Sequence, residues 1–350
     1  MHIVVAGCGY WGAKHVRVLS SLSGVDAVGV FDPDPGALAQ IAAAFGNVRH
    51  FGDFDAALVW ADAVVVATPA LTHVDLTMRA IAAGCHVLVE KPLATNSDDA
   101  ALLVATARET GVTLMVGHTF EYNAAVGALR DSVRSGELGR LHYIDSVRLN
   151  LGPIRRDVNV IGDLAPHDVS ICNFVLDARP DAVTAWASAH THESIEDTAS
   201  IRLDYDTIEV VATIRVSWLD PCKIRRTTVV GDRMMAVYND LDDNERLKLY
   251  DRGVVDSRHG AAHEPPMSYR YGAIVAPFVQ FREPLLVEDE HFVASIRDGT
   301  TPQSDGADGL AIVRILEAAQ QSVRERETVL LEWPDAPARP VAAPLARART

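Results

Sequence analysis

The first third of the chain alternates short apolar runs with segments that repeat apolar residues every three or four positions. Such runs are typical of buried strands, and the segments between them have helical spacing. Predicted strands cover 3–6, 25–31, 48–51, 63–67, 86–89 and 113–116, with predicted helices between them. Strands joined by helices form a parallel sheet covered on both faces. The pattern therefore predicts an α/β fold that begins with a doubly wound, Rossmann-type domain over 1–120.

Near residue 120 the pattern changes to several strands in succession. Helices are predicted at 122–135 and 166–176, and strands at 141–149, 181–189, 199–205, 207–217 and 224–230. Successive strands without intervening helices favour an antiparallel sheet in a second α/β domain, 121–333. Residues 251–285, rich in Gly, Pro, His and Tyr, are predicted to be irregular. Helices at 287–297 and 308–326 and a strand at 329–333 close this domain, and the Ala/Pro/Arg-rich segment 334–350 is predicted to be a disordered tail.

Composition excludes several classes of partner. The 350-residue chain carries a formal charge of −15, which opposes binding to nucleic acid or to an anionic membrane. Its four cysteines show no paired spacing, so neither a disulfide framework nor a metal site is expected. No secretion signal and no membrane-spanning run is recognisable, and the expected location is the cytoplasm.

Gly7, Gly9 and Gly12 form a G-x-G-x-x-G pattern between the first strand and the first helix. In that setting the first glycine allows a tight turn, the second lets a diphosphate approach the backbone, and the third lets helix and strand pack closely. The helix N-terminus adds free amides and a positive dipole. The pattern therefore predicts a dinucleotide site, with a purely structural turn as the alternative.

Two further segments lie at the same predicted crevice. Asp32 ends the second strand, twenty positions after Gly12, where a carboxylate accepts from a ribose hydroxyl and repels a 2′-phosphate. This favours NAD over NADP, although Asp32 can also cap the next helix. Thr68-Pro69 follows the fourth strand, beside the expected nicotinamide or simply as a turn.

Lys91 follows a buried strand at the carboxyl edge of the sheet, where ligands bind in such folds. An ammonium there can stabilise the alkoxide that develops during hydride transfer from a carbinol. The alternative is a solvated lysine at a strand end.

His167 is the candidate base. Pro166 favours a first helical turn, so the ring is expected near a helix N-terminus whose dipole keeps it neutral. Asp163, four residues earlier, is expected to orient the ring or relay its proton. The alternative is a packed core histidine with Asp163 as an N-cap.

These features together resemble the glucose–fructose oxidoreductase/inositol dehydrogenase (Gfo/Idh/MocA) family over nearly the whole chain. The resemblance is carried by Gly7–Gly12, Thr68-Pro69 with His73, Glu90-Lys91-Pro92, Asn123 and Asp163-x-x-x-His167. It implies a Rossmann domain joined to a domain with a large, mainly antiparallel open sheet, a homodimer or homotetramer, and a cis peptide at Lys91-Pro92. It also implies that Lys91 and His167 flank the reacting carbon, with Asp163 as the third catalytic residue. To the cofactor-binding residues named above, the resemblance adds Tyr10, Trp11, His73, Glu90 and Lys91.

One segment departs from the family pattern, at Gly117-His118-Thr119-Phe120-Glu121-Tyr122-Asn123. His118 is expected to contact substrate or nicotinamide, or to cap the strand. Tyr122 and Asn123 are grouped with it as candidate substrate residues.

Residues 148–159 resemble the branch associated with nucleotide sugars, which includes UDP-N-acetylhexosamine 3-dehydrogenases and sugar ketoreductases. Arg148, Arg155 and Arg156 could bind a diphosphate, or could form ion pairs with Asp157 and Asp163. Asn150 and Asn159 could read sugar hydroxyls, or could be turn residues.

The resulting hypothesis is an NAD-dependent sugar dehydrogenase or ketoreductase, acting on C3 of a nucleotide-linked sugar. A dehydrogenase of a free sugar, a sugar phosphate or a cyclitol is one alternative. A non-catalytic NAD-binding regulator is the other.

Overall fold

The computed structural model describes residues 1–256 and 267–333. The tail predicted to be disordered, 334–350, lies outside the described residues, as does 257–266 within the segment predicted to be irregular. Among the residues described, no helix combines the length and apolarity needed to cross a bilayer.

The N-terminal part is a parallel sheet with the order β3-β2-β1-β4-β5-β6. Its elements are β1 (His2–Ala6), α1 (Tyr10–Leu19), β2 (Ala27–Phe31), α2 (Pro35–Ala44), β3 (Arg49–Phe51), α3 (Phe54–Trp60), β4 (Ala63–Val66), α4 (His73–Ala82), β5 (His86–Glu90), α5 (Ser97–Thr110) and β6 (Leu114–Gly117). Strands β1, β4 and β5 are buried nearly throughout, as strands with helices on both faces must be. The predicted doubly wound sheet is confirmed.

The second part is a larger sheet with the order β14-β13-β12-β11-β7-β10-β9-β8-β15. Its elements are α6 (Ala124–Arg134), β7 (Leu141–Leu151), α7 (Val160–Leu176), β8 (Ala182–Ser188), β9 (Thr198–Tyr205), β10 (Val210–Ser217), β11 (Leu219–Gly231), β12 (Met235–Asn239), β13 (Leu247–Asp256), β14 (Met267–Val275), α8 (Pro284–Asp298), α9 (Gly306–Glu325) and β15 (Val329–Leu330). Among the described strands of this second sheet, only β7 and β10 pair in parallel. The predicted mainly antiparallel sheet is therefore confirmed.

Helix α8 returns the chain to the first sheet. Its buried residues Leu285, Phe292 and Val293 belong to the same apolar cluster as Ile3 and Val5 of β1. Gly24, next to α1, lies so close to α8 that an added Cβ would sit 3.3 Å from Val293. The helix that follows the second sheet is thus part of the N-terminal layer, and it carries polar residues to the underside of the candidate site.

Two local expectations were wrong. The segment expected to be irregular contains most of the hairpin β13–β14, because Gly- and Tyr-rich sequence can still pair when a neighbouring strand supplies the hydrogen bonds. Helix α7 begins at Val160 rather than near Pro166, with Asn159 as its N-cap. Pro166 therefore lies inside the helix, and His167 lies two turns from its N-terminus.

Candidate functional site

The glycine turn is shaped for close approach of a ligand. Gly7 has φ +98, and a Cβ there would sit 2.6 Å from the carbonyl oxygen of Ala67. A Cβ on Gly12 would sit 1.8 Å from the carbonyl oxygen of Gly7, whereas a Cβ on Gly9 would meet nothing within 4 Å. Helix α1 starts directly after Gly9 without a side-chain cap, so its first amides stay available. The turn therefore fits the diphosphate of a dinucleotide.

Asp32 lies beside this turn, at the end of β2. Its Oδ2 accepts from the backbone N–H of Cys8 at 2.8 Å and its Oδ1 accepts from that of Asp34 at 2.9 Å. Burial, and secondarily the charge of Asp32, raises the pKa of the Cys8 thiol to about 12. The half-buried carboxylate is held in one orientation and has acceptor capacity left for a ribose diol.

Tyr10 and Trp11, the first residues of α1, are both exposed. The ammonium of Lys14 lies 4.4 Å from the centre of the Tyr10 ring and 5.0 Å from that of Trp11. Trp11 and Lys14 line the cavity described below, while the structure does not place Tyr10 in its wall.

His73 connects the two loops that follow β4 and β5. Its buried ring lies 2.8 Å from the carbonyl oxygen of Pro92 through Nδ1 and 2.9 Å from that of Thr68 through Nε2. The peptide that joins Lys91 to Pro92 is cis, as expected. His73 thus braces the Thr68-Pro69 turn against the segment that carries Lys91.

Lys91 and His167 line the same cavity, whose volume is about 290 Å³. The ammonium of Lys91 donates to the backbone carbonyl of Asp163 at 3.0 Å, and desolvation by burial lowers the pKa of Lys91. Burial, followed by the charges of Lys91 and Arg148, places the pKa of His167 well below 6.5. An ammonium and a neutral imidazole from two distant segments therefore face one space.

The cause of this neutrality differs from the expected one. His167 is too far from the start of α7 for the helix dipole to act, because that effect is confined to the first turn. Desolvation and neighbouring cations keep the ring neutral instead.

The carboxylate of Asp163 has other hydrogen-bond partners than the expected His167. Its carboxylate accepts from Nε1 of Trp218 at 3.0 Å and from Arg155 at 3.4 Å. These are the hydrogen bonds that the described structure gives this carboxylate, and neither reaches His167. Asp163 contributes to the site through its carbonyl, which holds the ammonium of Lys91.

Two of the three candidate arginines are engaged in ion pairs. Arg148 is buried in the cavity wall, with its Nε 2.6 Å from Asp168 and its guanidinium 4.5 Å from the centre of the Phe120 ring. Arg155 pairs with Asp157 at 2.6 Å on the exposed loop, where Arg156 is exposed as well. Neither paired arginine is a free cation for a diphosphate.

The two candidate asparagines have local partners. Asn150 donates to the carbonyl of Gly152 at 2.6 Å. Asn159 accepts from the N–H of Gly162 at 3.0 Å and donates to Glu196 at 2.9 Å, so it caps α7. Both therefore shape the loop between β7 and α7.

His118, Tyr122 and Asn123 differ in position. His118 is 2 % exposed, and neither ring nitrogen has a hydrogen-bond partner among the described residues. Burial together with the charge of Lys91 lowers its pKa to about 3. Tyr122 is buried, with its hydroxyl 2.9 Å from Ser304 Oγ. Asn123 lines the cavity, caps α6 and donates to the hydroxyl of Tyr238 at 3.1 Å.

The wall of the cavity also contains residues that the sequence did not reveal. Arg225 on β11 pairs with Asp240 at 3.2 Å, and Asp240 also accepts from the hydroxyl of Tyr238 at 2.9 Å. Both Arg225 and Asp240 line the cavity, together with Phe120 and Leu164. No sequence motif marks Arg225 or Asp240, because it is the folding of the second sheet that brings these distant residues to the cavity.

The residues described contain no group of three or more His, Cys, Asp or Glu side chains able to hold a metal ion.

Two family models match the chain. The one described as an oxidoreductase family with an NAD-binding Rossmann fold matches residues 1–118. The one described as the GFO/IDH/MocA C-terminal domain matches residues 126–237.

Three curated relatives match over nearly the full chain. Inositol 2-dehydrogenase of Rhizobium meliloti is 26 % identical over 92 % of this chain and 97 % of its own length. 4-Carboxy-2-hydroxymuconate-6-semialdehyde dehydrogenase of a Sphingobium species is 36 % identical over 90 % of this chain and 96 % of its own length. UDP-N-acetylglucosamine 3-dehydrogenase of Acidithiobacillus ferrooxidans is 30 % identical over 92 % of this chain and 96 % of its own length.

A solved structure of the third relative superposes with a TM-score of 0.80 at 26 % identity, over 93 % of this chain and 98 % of that one. Family models, relatives and glycine turn agree with one another. The chain belongs to the Gfo/Idh/MocA family, as an NAD-binding oxidoreductase that acts on a carbinol.

Proposed function

We propose that the protein interconverts a secondary hydroxyl and a ketone on a sugar, with Lys91 and His167 as its catalytic pair and Asp163 as the residue whose carbonyl positions Lys91. The observation that carries this proposal is the convergence of Lys91 and His167 on one cavity beside the glycine turn. The pKa of each is lowered chiefly by burial, so the ammonium acts on oxygen at low dielectric and the imidazole is free to accept a proton.

NAD would be held by Gly7, Gly9, Gly12 and Asp32, with Thr68 and Pro69 beside its nicotinamide half. When bound, it supplies an acceptor for the hydride that leaves the carbinol carbon, or a donor in the reverse direction. His167 takes the hydroxyl proton during oxidation and returns it during reduction. Lys91 donates a hydrogen bond to the same oxygen and stabilises its developing negative charge, while the carbonyl of Asp163 holds the ammonium in place.

For the substrate, we propose C3 of a nucleotide-linked sugar. Support comes from the 3-dehydrogenase relative, named for UDP-N-acetylglucosamine, which matches in sequence and in fold. Asn123, Arg225 and Asp240 offer amide, guanidinium and carboxylate groups in one wall, a set suited to sugar hydroxyls. Arg156, exposed on the β7–α7 loop, is the candidate contact for the diphosphate.

A compact polyol is the second candidate. Arg148 and Arg155, two of the cations expected at a diphosphate, are already paired with carboxylates. The cavity of about 290 Å³ suits a single ring, and inositol 2-dehydrogenase is among the relatives. Free sugars, sugar phosphates and cyclitols therefore belong in the same test.

The test follows nicotinamide absorbance with UDP- and dTDP-linked sugars, myo-inositol and glucose 6-phosphate. We expect the largest kcat/KM with a nucleotide-linked sugar. A larger kcat/KM with inositol or a free sugar would favour a compact polyol over a nucleotide-linked sugar as the substrate. Tight NAD binding without turnover of any polyol or keto-sugar would instead favour a regulator that binds NAD.

We also propose that the chain assembles as a homodimer or homotetramer. The second sheet leaves large apolar side chains exposed in Tyr143, Trp186, Tyr269 and Tyr271. Large apolar side chains that an open sheet leaves exposed are candidates for contacts between subunits. Light scattering on the purified protein would give the mass, and a monomer at micromolar concentration would contradict this proposal.

A further inference from the structure

His15 of α1 forms a buried bridge beneath the cavity. The side chain is 0 % exposed. Its Nδ1 lies 2.9 Å from Oδ1 of Asp289 on α8, and its Nε2 lies 3.2 Å from Oε1 of Glu90 at the end of β5. One ring therefore connects three elements that are far apart in the sequence.

The chemistry of the ring follows from its two partners. An imidazole that donates to two acceptors must carry a proton on both nitrogens. Burial opposes the charge, but the carboxylates of Asp289 and Glu90 favour it, and their combined effect raises the pKa of His15 well above 6.5. A neutral ring would point a lone pair at a buried carboxylate, which is unfavourable at low dielectric.

Other acidic groups face this bridge. Glu288 of α8 is fully buried, and burial together with the charge of Glu90 raises its pKa, while one of its oxygens accepts from the hydroxyl of Thr119. Burial raises the pKa of Asp289, and the nearby charges of Glu90 and Glu283 add to that effect. Among the described residues, His15 is the cation that bonds directly to Asp289 and Glu90, whereas Arg17 pairs with Glu283.

The bridge continues to the candidate catalytic lysine. The second carboxylate oxygen of Glu90 accepts from the backbone N–H of Lys91 at 3.2 Å. Gly117 of β6 packs against the same residue, since a Cβ there would sit 3.2 Å from that oxygen. Asp289, His15 and Glu90 thus lead to the backbone of Lys91, while Asp163 holds its ammonium at the other end.

We propose that His15 is a positioning residue, a buried imidazolium that fixes Glu90 against α8 and so sets the place from which Lys91 reaches the reacting oxygen. No sequence motif indicated this residue. The proposal rests on the role proposed above for Lys91. It requires that loss of the imidazolium moves the lysine without removing the dinucleotide site.

The first experiment is NMR on protein labelled at histidine and lysine, which needs no substrate. In the wild type we expect two strongly downfield imidazole N–H signals from His15 that persist well above pH 6.5. His15→Gln should abolish them and shift the backbone amide of Lys91. Asp289→Asn, which keeps the size of the side chain, should shift the same amide. A His15 ring that loses a proton near pH 6.5 would overturn the proposal.

The second experiment separates positioning from packing. Val293→Ala is the matched control, because it removes apolar volume from the same helix and leaves both hydrogen-bond partners of His15 in place. We expect His15→Gln to lower kcat by about tenfold or more, since small misplacements of catalytic groups have effects of this size. NADH affinity, measured by fluorescence, should stay within about threefold of the wild-type value, an energy difference of about 0.7 kcal/mol or less. Val293→Ala should leave kcat near the wild-type value, even where it loses as much thermal stability as His15→Gln does.

Equal losses of kcat in the two variants would overturn the positioning role. If His15→Gln does not fold, the Asp289→Asn variant and the wild-type titration decide the question. A wild type that binds NADH but turns over no substrate contradicts the proposed function. In that case the NMR shift of the Lys91 backbone amide still tests the bridge. Failure of the proposed function and failure of the positioning role are therefore distinguishable.

Discussion

The ammonium of Lys91 donates to the backbone carbonyl of Asp163 at 3.0 Å, one helical turn before His167. The N-terminal sheet and a helix of the second domain thus meet in a single hydrogen bond at the candidate reacting centre. The lysine and the imidazole therefore reach one cavity from two elements, the end of β5 and α7.

Replacing Lys91 with Ala should lower kcat by on the order of 10²- to 10³-fold, the effect of losing one donor to a developing oxyanion. NAD affinity should be nearly intact, because the glycine turn and Asp32 are unchanged. Steady-state kinetics and calorimetric titration with NAD measure the two quantities. A loss of NAD binding as large as the loss of kcat would contradict the assigned role.

Gly9→Ala and Gly12→Ala should separate binding from folding. A Cβ on Gly9 meets nothing within 4 Å, so the variant should fold normally, yet bind NAD about tenfold more weakly, or 1.4 kcal/mol, because the diphosphate needs that space. A Cβ on Gly12 would collide with the carbonyl of Gly7, so that variant should be destabilised by about 1–3 kcal/mol. Urea unfolding and NAD titration test the pair. Unchanged NAD affinity in Gly9→Ala would place the diphosphate elsewhere.

Asp32→Asn should shift cofactor preference toward NADP. Like charges about 4 Å apart repel by about 1 to 4 kcal/mol, depending on solvent exposure, so the NADP-to-NAD ratio of kcat/KM should rise at least about fivefold. The amide still has an oxygen for the N–H of Cys8 or Asp34. A ratio that does not change would show that the 2′-phosphate does not approach residue 32.

His118→Leu should flatten the dependence of stability on pH. The folded-state pKa of His118 is about 3, below the 6.5 of an unperturbed ring, so at lower pH the unfolded chain binds a proton that the folded chain does not. The stabilisation is complete above pH 6.5 and is lost as pH falls toward 3, by about 1.4 kcal/mol per pH unit. Urea unfolding at several pH values in this window should give a smaller slope for the variant. Identical slopes would contradict the burial of a neutral ring.

Arg225→Gln should raise KM for the sugar by about tenfold or more, since a hydrogen bond to a charged group contributes about 1.5–3 kcal/mol. NADH affinity should not change. Arg226→Gln is the control, because the next residue on β11 points to the other face and is exposed. Equal effects of the two substitutions on KM would remove Arg225 from the substrate site.

Local sequence determined much of the fold and of the cofactor site. Alternating strand and helix patterns predicted the parallel sheet, and Gly7, Gly9 and Gly12 predicted the turn, because the conformation of each depends on residues close by in the chain. The hairpin β13–β14 and the start of α7 at Val160 escaped the same reasoning. Pairing with β12 makes the first a strand, and an N-cap at Asn159 overrides the helix-start preference of Pro166 in the second.

What tertiary structure alone decided is which polar groups meet. Lys91 and His167 could each be named from sequence, but not the carbonyl of Asp163 between them, nor the wall formed by Arg225 and Asp240. The bridge from Asp289 through His15 to Glu90 joins residues 274 and 75 positions apart. A hydrophobic pattern indicates which side chains are buried, whereas the energy of a buried charge depends on partners that only the folded chain brings within hydrogen-bond distance.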